Sequence, residues 1–280
     1  MSKKENNNTL VKNATFLMVA ALISKIIGML YKSPLTTLIG RESFACFQFA
    51  QNAYFILLMI ASFSIPQAVS KIMSERIAFK RYRDAQRVFK GALLYAVIAG
   101  GIAALVCIFG ASILVPDNMA NARLALQMLA PTIFVSGILG VFRGYFQAYR
   151  NMLPTSISQI LEQIAVATVA LLASGFMVHH FANAGEDTLQ RWSAAGATMG
   201  TGAGVCTAFL FMLFVYRVNH KTIAKKIKND RVSVNESYRS IMKIILLIAA
   251  PIILSAFIYN VNGYINGVMY TSILGWKGVS

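Results

Sequence analysis

Long uncharged apolar stretches alternate with short polar, charged segments along the whole chain. They run over 44–70, 91–116, 124–142, 163–185 and 192–216, with another beginning at Ile244. Each reaches the roughly 18 to 20 residues that a helix rising ~1.5 Å per residue needs to cross a ~30 Å hydrocarbon layer. A spanning barrel would instead show ~10-residue segments alternating apolar and polar, and a run such as Ala92 to Val115 has no such period. The pattern predicts seven helices, over 13–38, 44–70, 91–115, 122–147, 154–178, 192–217 and 241–268. Lys3, Lys4 and Lys12 followed by Ala14–Ile23 resemble the basic and apolar regions of a signal peptide. No small-x-small cleavage site follows and the apolar pattern resumes over Lys25–Leu38, so this segment reads as a retained first helix.

Composition agrees with the pattern. Hydrophobic residues make up 57% of the 280 and charged residues only 13%, which excludes an ordinary soluble domain with about 25% charged residues. The net charge of +16 raises a nucleic-acid binder as an alternative until the basic residues are located. Nineteen of the 26 fall on one side of the predicted topology: the amino-terminal tail, the connection after helix two, Arg150, and the connection after helix six. Arg41, Arg123, Arg191 and Lys277 fall on the other. By the positive-inside rule the richer side is cytoplasmic, with the N-terminus inside. The charge is then a topology signal and an attraction to anionic lipid head groups, and no nucleic acid is needed. The basic 71–90 connection spaces Ile72, Ile77, Phe79 and Val88 among its charges, so it reads either as an amphipathic helix on the inner surface or as a solvated loop. Cys46, Cys107 and Cys206 form no close-spaced metal motif and read as packing residues.

Pro66, Pro131 and Pro251 lie inside predicted spans and should bend or locally unwind them. Gly196, Gly200 and Gly204 repeat every fourth residue, as do Gly140 and Gly144, a spacing that lets helix backbones approach closely.

Ionisable groups inside the spans are few: Lys25, Lys32, Arg143 and Glu162. A charge near the bilayer centre costs about 2.5 to 3.5 kcal/mol even on the lenient insertion scale, so each calls for a partner, a watery cavity or a function. Lys25 stands about 12 residues into helix one, roughly 18 Å from its inner end. Lys32 follows two turns later on nearly the same face. Either these cations mark a path for an anion, or Lys25 pairs with an acid of another helix. Arg143 and Glu162 lie at comparable depths on either side of a turn near Asn151, which predicts a mainly structural ion pair flanked by Gln159 and Gln163. Polar stripes on helix two (Gln48, Gln51, Asn52, Tyr54) and helix seven (Tyr259, Asn262, Gly263, Asn266, Tyr270) should face a shared interior. There they serve either a sugar or peptide head group or interhelical bonds. No zinc-protease, Gly-x-Ser-x-Gly or Walker motif appears, so no enzyme chemistry, metal or cofactor is expected.

The segment FRGYFQAYRNMLPTSISQILEQI, Phe142 to Ile164, resembles the junction of helices four and five in the polysaccharide-transport and lipid II flippase proteins, the MurJ- and SpoVB-like branches of the MOP exporter superfamily. SKIIGMLYKSPLTTLIG, Ser24 to Gly40, and QNAYFILLMIASFSIPQAVSKIMSE, Gln51 to Glu75, agree with it. The resemblance implies an all-α, MATE-like transporter of two six-helix lobes plus two further helices, with a cationic central cavity and alternating access. On that plan 1–12 is a basic cytoplasmic tail, 13–217 the first lobe, 218–240 a basic connection, and 241–280 the seventh helix opening a second half, so the chain reads as a partial sequence. In the family, basic residues of the first helix help hold a substrate diphosphate. Lys25 stands at the Ser-basic-x-x-Gly position (Ser24, Lys25, Gly28) where relatives often carry Arg, keeping the charge but losing the bidentate fork.

The implied function is a flippase of the bacterial cell membrane. It would carry an undecaprenyl-diphosphate-linked peptidoglycan precursor to the outer leaflet, with membrane lipids and the cell-wall synthesis machinery as implied partners. Lys25, Lys32, Gln48, Gln51, Asn52, Tyr259, Asn262 and Asn266 are its candidate substrate contacts. The alternatives are an exporter of another lipid-linked oligosaccharide, a multidrug or cation antiporter of the same superfamily, and a non-transport membrane scaffold.

Overall fold

The computed structural model describes the backbone of residues 3–59, 64–234 and 236–276. It describes their side chains apart from 3–14, 221–222, 256–257, 259–264, 266–268 and 270–276. Among these residues the chain is helical with no strand. The helices are α1 (Lys3–Leu30), α2 (Lys32–Leu58), α3 (Ile65–Ala78), α4 (Tyr82–Phe109), the single turn α5 (Ala111–Leu114), α6 (Ala122–Ala148), α7 (Leu153–His180), α8 (Glu186–Lys228) and α9 (Tyr238–Trp276). Six described stretches are long and apolar enough to cross a membrane, the first of them Thr15–Leu58. At 44 residues that stretch is too long for one crossing, and it turns back at Gly40, whose φ of 81° and ψ of 164° interrupt α2. The packing shows the reversal. Gly28 and Leu38 lie against Gln163 and Gly175 of α7, both advancing in the same sense. Beyond Gly40, Glu42 meets Gln190 and Gln51 meets Thr201, now advancing with α8. The protein is therefore a multi-span helical membrane protein, and the first of its six long apolar stretches doubles back at Gly40.

α6 is the axis of the bundle: 56% of its most apolar window is buried, against 11 to 33% for the other spans. It packs against α2, α3, α4 and α8, and Leu126, Leu129 and Ile133 are wholly enclosed. Pro131 lies inside α6 and Pro251 inside α9. Pro66 instead occupies the first turn of α3, where its missing N–H costs nothing. The second predicted span is accordingly two helices, α2 ending at Leu58 and α3 starting at Ile65.

Lipid gives helices no hydrophobic reason to associate, so close packing has to supply one. At Gly196, Gly200 and Gly204 α8 approaches α7 so closely that a Cβ at Gly200 would stand 2.6 Å from Cβ of Ala170. Gly144 takes the start of α3 in the same way, 2.7 Å from the carbonyl oxygen of Pro66, while Gly140 faces a cavity.

The basic end is built differently from either reading of the 71–90 connection. Residues 71–78 continue α3, a short turn follows, and α4 has already begun at Tyr82. Ile72 and Val88 are fully buried in the core rather than spread on a lipid surface. α8 likewise runs on to Lys228, well beyond the predicted end at 217. Its connection to α9 then docks on the α3–α4 turn. Asp84, fully buried, accepts the backbone N–H groups of Val234 and Glu236 and the Arg81 side chain. Asp230 accepts the backbone N–H of Arg83 at 2.7 Å. Glu236 receives Arg76 and Arg81, each at 3.1 Å.

Candidate functional site

α1, α2, α3, α6, α7 and α8 line a cavity of about 490 Å³. Its wall is polar far beyond what lipid-facing surface tolerates. Lys32, Gln48, Gln51 and Asn52 enter from α2, Arg143 and Gln147 from α6, Gln159, Glu162 and Gln163 from α7, and Thr201 from α8. Uncharged amides on these apolar helices would be unsatisfied in hydrocarbon, so their gathering around one space marks it as a watery interior.

Three of the wall's contacts fix its shape. Arg143 Nη2 donates to Glu162 Oε2 at 2.6 Å while its Nε donates to Ser158 Oγ at 3.1 Å. Gln51 Nε2 donates to Thr201 Oγ1 at 2.7 Å, tying α2 to α8. Tyr54 OH lies 3.4 Å from Ser136 Oγ, tying α2 to α6. Two amide oxygens, Gln51 Oε1 and Gln159 Oε1, are buried without a hydrogen-bond partner. A buried acceptor left unpaired costs about 1–3 kcal/mol.

The cavity brings together Lys32, Gln48, Gln51 and Asn52 with Arg143 and Glu162. It does not include Lys25, which is exposed one turn before Gly28. α1 turns Ser24 and Gly28 toward its neighbours: the Ser24 hydroxyl is buried, and a Cβ on Gly28 would stand 3.1 Å from the Gln163 amide oxygen. Lys25, between them on the helix, is exposed. The side chains of Tyr259, Asn262 and Asn266 lie outside the described residues. Thr201 and Ser136 were missed in the sequence. Thr201 adjoins the glycine stripe of α8, one residue round from the face that packs on α7, and so reads as packing.

The signature of the family described as "Polysaccharide biosynthesis protein" matches residues 10–279. The chain is 25% identical to "Lipid II flippase MurJ" of Bacillus subtilis (strain 168) over 271 residues, 93% of this chain and 49% of that protein. It is 24% identical to "Stage V sporulation protein B" of the same organism over 280 residues, 97% of this chain and 51% of that one. The chain thus spans about half the length of these relatives. Among solved structures, a MATE protein in complex with MaD5 superposes with a TM-score of 0.68 at 15% identity, over 89% of this chain and 53% of that one. A MOP superfamily transporter from Pyrococcus furiosus Vc1 (DSM3638) gives 0.66 at 16% identity, over 96% and 60%. These likenesses establish the MATE-like fold.

Proposed function

Since the chain belongs to the polysaccharide biosynthesis protein family, we propose that it moves a lipid-linked diphosphate glycan, of the lipid II type, from the inner to the outer leaflet of the bacterial cell membrane. The observation that carries this reading is the composition of the cavity wall, with two cations, one carboxylate and a ring of neutral amides. A diphosphate needs positive charge on its path. The sugars and peptide bring hydroxyl and amide donors, which match the unpaired oxygens of Gln51 and Gln159. A relative named as a lipid II flippase supports the choice of cargo.

In this mechanism Lys32 offsets the phosphate charge within the cavity, and Lys25, exposed about two turns earlier on the chain, meets the cargo first. The head group crosses through the polar space while the lipid tail stays among the acyl chains. Loading and release require the cavity to open alternately to the two surfaces, and no covalent step is asked of the protein. The basic end, richest in Lys and Arg, faces the cytoplasm in this reading. A cationic drug would prefer an excess of carboxylates, and Glu162 is here already occupied by Arg143.

The test is Lys32→Glu in the full-length protein, scored by the amount of precursor exposed at the outer leaflet. A loss of about tenfold at unchanged protein level is expected, that factor being the loss of one charge-assisted contact. Unchanged exposure overturns the reading.

A further inference from the structure

Arg143 and Glu162 form more than a structural pair. Their contact is one-sided: the guanidinium spends Nη2 on a single carboxylate oxygen and Nε on Ser158. Nη1 has no hydrogen-bond partner among the described residues, although the side chain lines the cavity. A guanidinium carries five N–H donors in a planar fork, and that fork binds phosphate through two parallel bonds. The edge formed by Nη1 and Nη2 is therefore half used, and it borders the space in which a cargo would rest. Ser158, fully buried and donating its own hydroxyl to the carbonyl of Thr155 at 2.7 Å, holds Nε from behind. The guanidinium thus keeps its place when Nη2 changes partner.

We infer that Arg143 is a phosphate-receiving residue of the cavity and that Glu162 is its built-in competitor: cargo phosphate displaces the carboxylate from the Nη1–Nη2 edge, and the carboxylate returns to expel it. This rests on the proposed diphosphate cargo and adds a role to both residues. The physical logic is that of any carrier, in which a site must attract its cargo but also let it go. An uncontested guanidinium deep between helices would hold a diphosphate too tightly. A carboxylate already bound there reduces the net gain on loading, because the incoming phosphate replaces one charge-assisted bond with others and leaves Glu162 to cavity water or to Lys32. Both carboxylate and cation remain in the polar space throughout, which limits the cost of leaving a buried charge unpaired.

The experiment uses the full-length protein in lipid nanodiscs with farnesyl diphosphate as the probe and farnesol as the uncharged control. Four proteins are compared: wild type, Glu162→Gln, Arg143→Gln and Arg143→Lys, the last retaining charge without the fork. The inference expects Glu162→Gln to bind the diphosphate about tenfold more tightly than wild type and Arg143→Gln about tenfold more weakly, with Arg143→Lys in between, since one charge-assisted bond is worth about that factor. Farnesol binding should be the same in all four. If the pair is structural only, the folded fraction of each variant binds the diphosphate as wild type does, and the inference is overturned. Weaker binding in Glu162→Gln overturns it too, by making the carboxylate a support rather than a rival. Should wild type bind the diphosphate no better than farnesol, the cargo assignment itself falls, an outcome distinct from the other two.

Discussion

Gly200 of α8 and Ala170 of α7 stand so close that a methyl group added to the glycine would come within 2.6 Å of the alanine Cβ and 2.7 Å of the Val166 carbonyl oxygen. The backbone nitrogen of Ala170 would stand 2.7 Å away as well, and neither backbone atom can rotate out of the way. Overfilling a packed contact costs about 1–3 kcal/mol, so Gly200→Ala should lower the thermal unfolding midpoint in detergent. Gly101→Ala is the comparison, because nothing lies within 4 Å of its added methyl. There the helix should gain about 0.5–1 kcal/mol from the loss of glycine's backbone freedom. Equal effects at the two sites would remove the close α7–α8 approach from the account of stability.

Asp230 gives the basic end a dependence on pH. Burial pushes its carboxyl upward, but the Ser233 hydroxyl and the backbone N–H groups of Arg83, Val232 and Ser233 outweigh burial and hold it below the ordinary carboxylate range. A folded-state value below the unfolded one, about 3.9, means that the stabilisation is fully present above that pH and is lost as pH falls toward the folded value. Hydrogen exchange of 229–237 should therefore accelerate below about pH 4 in wild type. In Asp230→Asn the segment should exchange faster at neutral pH, by the equivalent of about 1–3 kcal/mol for the lost acceptor, and should lose part of the acid-induced change. A variant with the wild-type profile would show that Asp230 does not hold the α8–α9 connection to the α3–α4 turn.

Lys32 lines the cavity and Lys25 does not, although the helical stripe on which both fall treats them alike. Outer-leaflet exposure of the precursor should drop about tenfold for Lys32→Gln, the worth of one charge-assisted contact, and by less for Lys25→Gln. Equal losses would place Lys25 on the path as firmly as Lys32.

What the sequence made legible follows from how each feature is encoded. Spans are written in composition: the uncharged run Ala92–Val115 has little choice in a bilayer, and α4 covers it as far as Phe109, having begun nine residues earlier than the expected start at 91. The turn at Gly40 falls in the predicted gap between 38 and 44. The Arg143–Glu162 contact follows from two distances counted along neighbouring helices from one turn. Features that depend on rotation or on remote partners were hidden. Lys25 and Lys32 share a stripe when counted along the helix, yet only Lys32 lines the cavity. The clamp of Asp84, Asp230 and Glu236 joins segments about 150 residues apart. Three acids inside two basic segments were its only trace.

The pair across α6 and α7 yields the last prediction, on folding rather than binding. Arg143 and Glu162 are both largely buried, at 16% and 19% side-chain exposure, so reversing one partner sets two like charges against each other with little solvent to screen them. Arg143→Glu places two carboxylates together and Glu162→Arg two guanidinium groups, so each should sharply reduce the folded protein recovered from membranes. The double reversal restores an opposite-charge pair across the same helices. It should recover a large part of the lost protein, although Ser158, placed to receive Nε, no longer faces a guanidinium on α6. Translocation should not return with it, because the swapped guanidinium would project from α7 and lose its hold beside the cavity. Recovery of neither protein nor transport would mean that the contact contributes little to assembly, while recovery of both would show that charge alone, without this geometry, is enough.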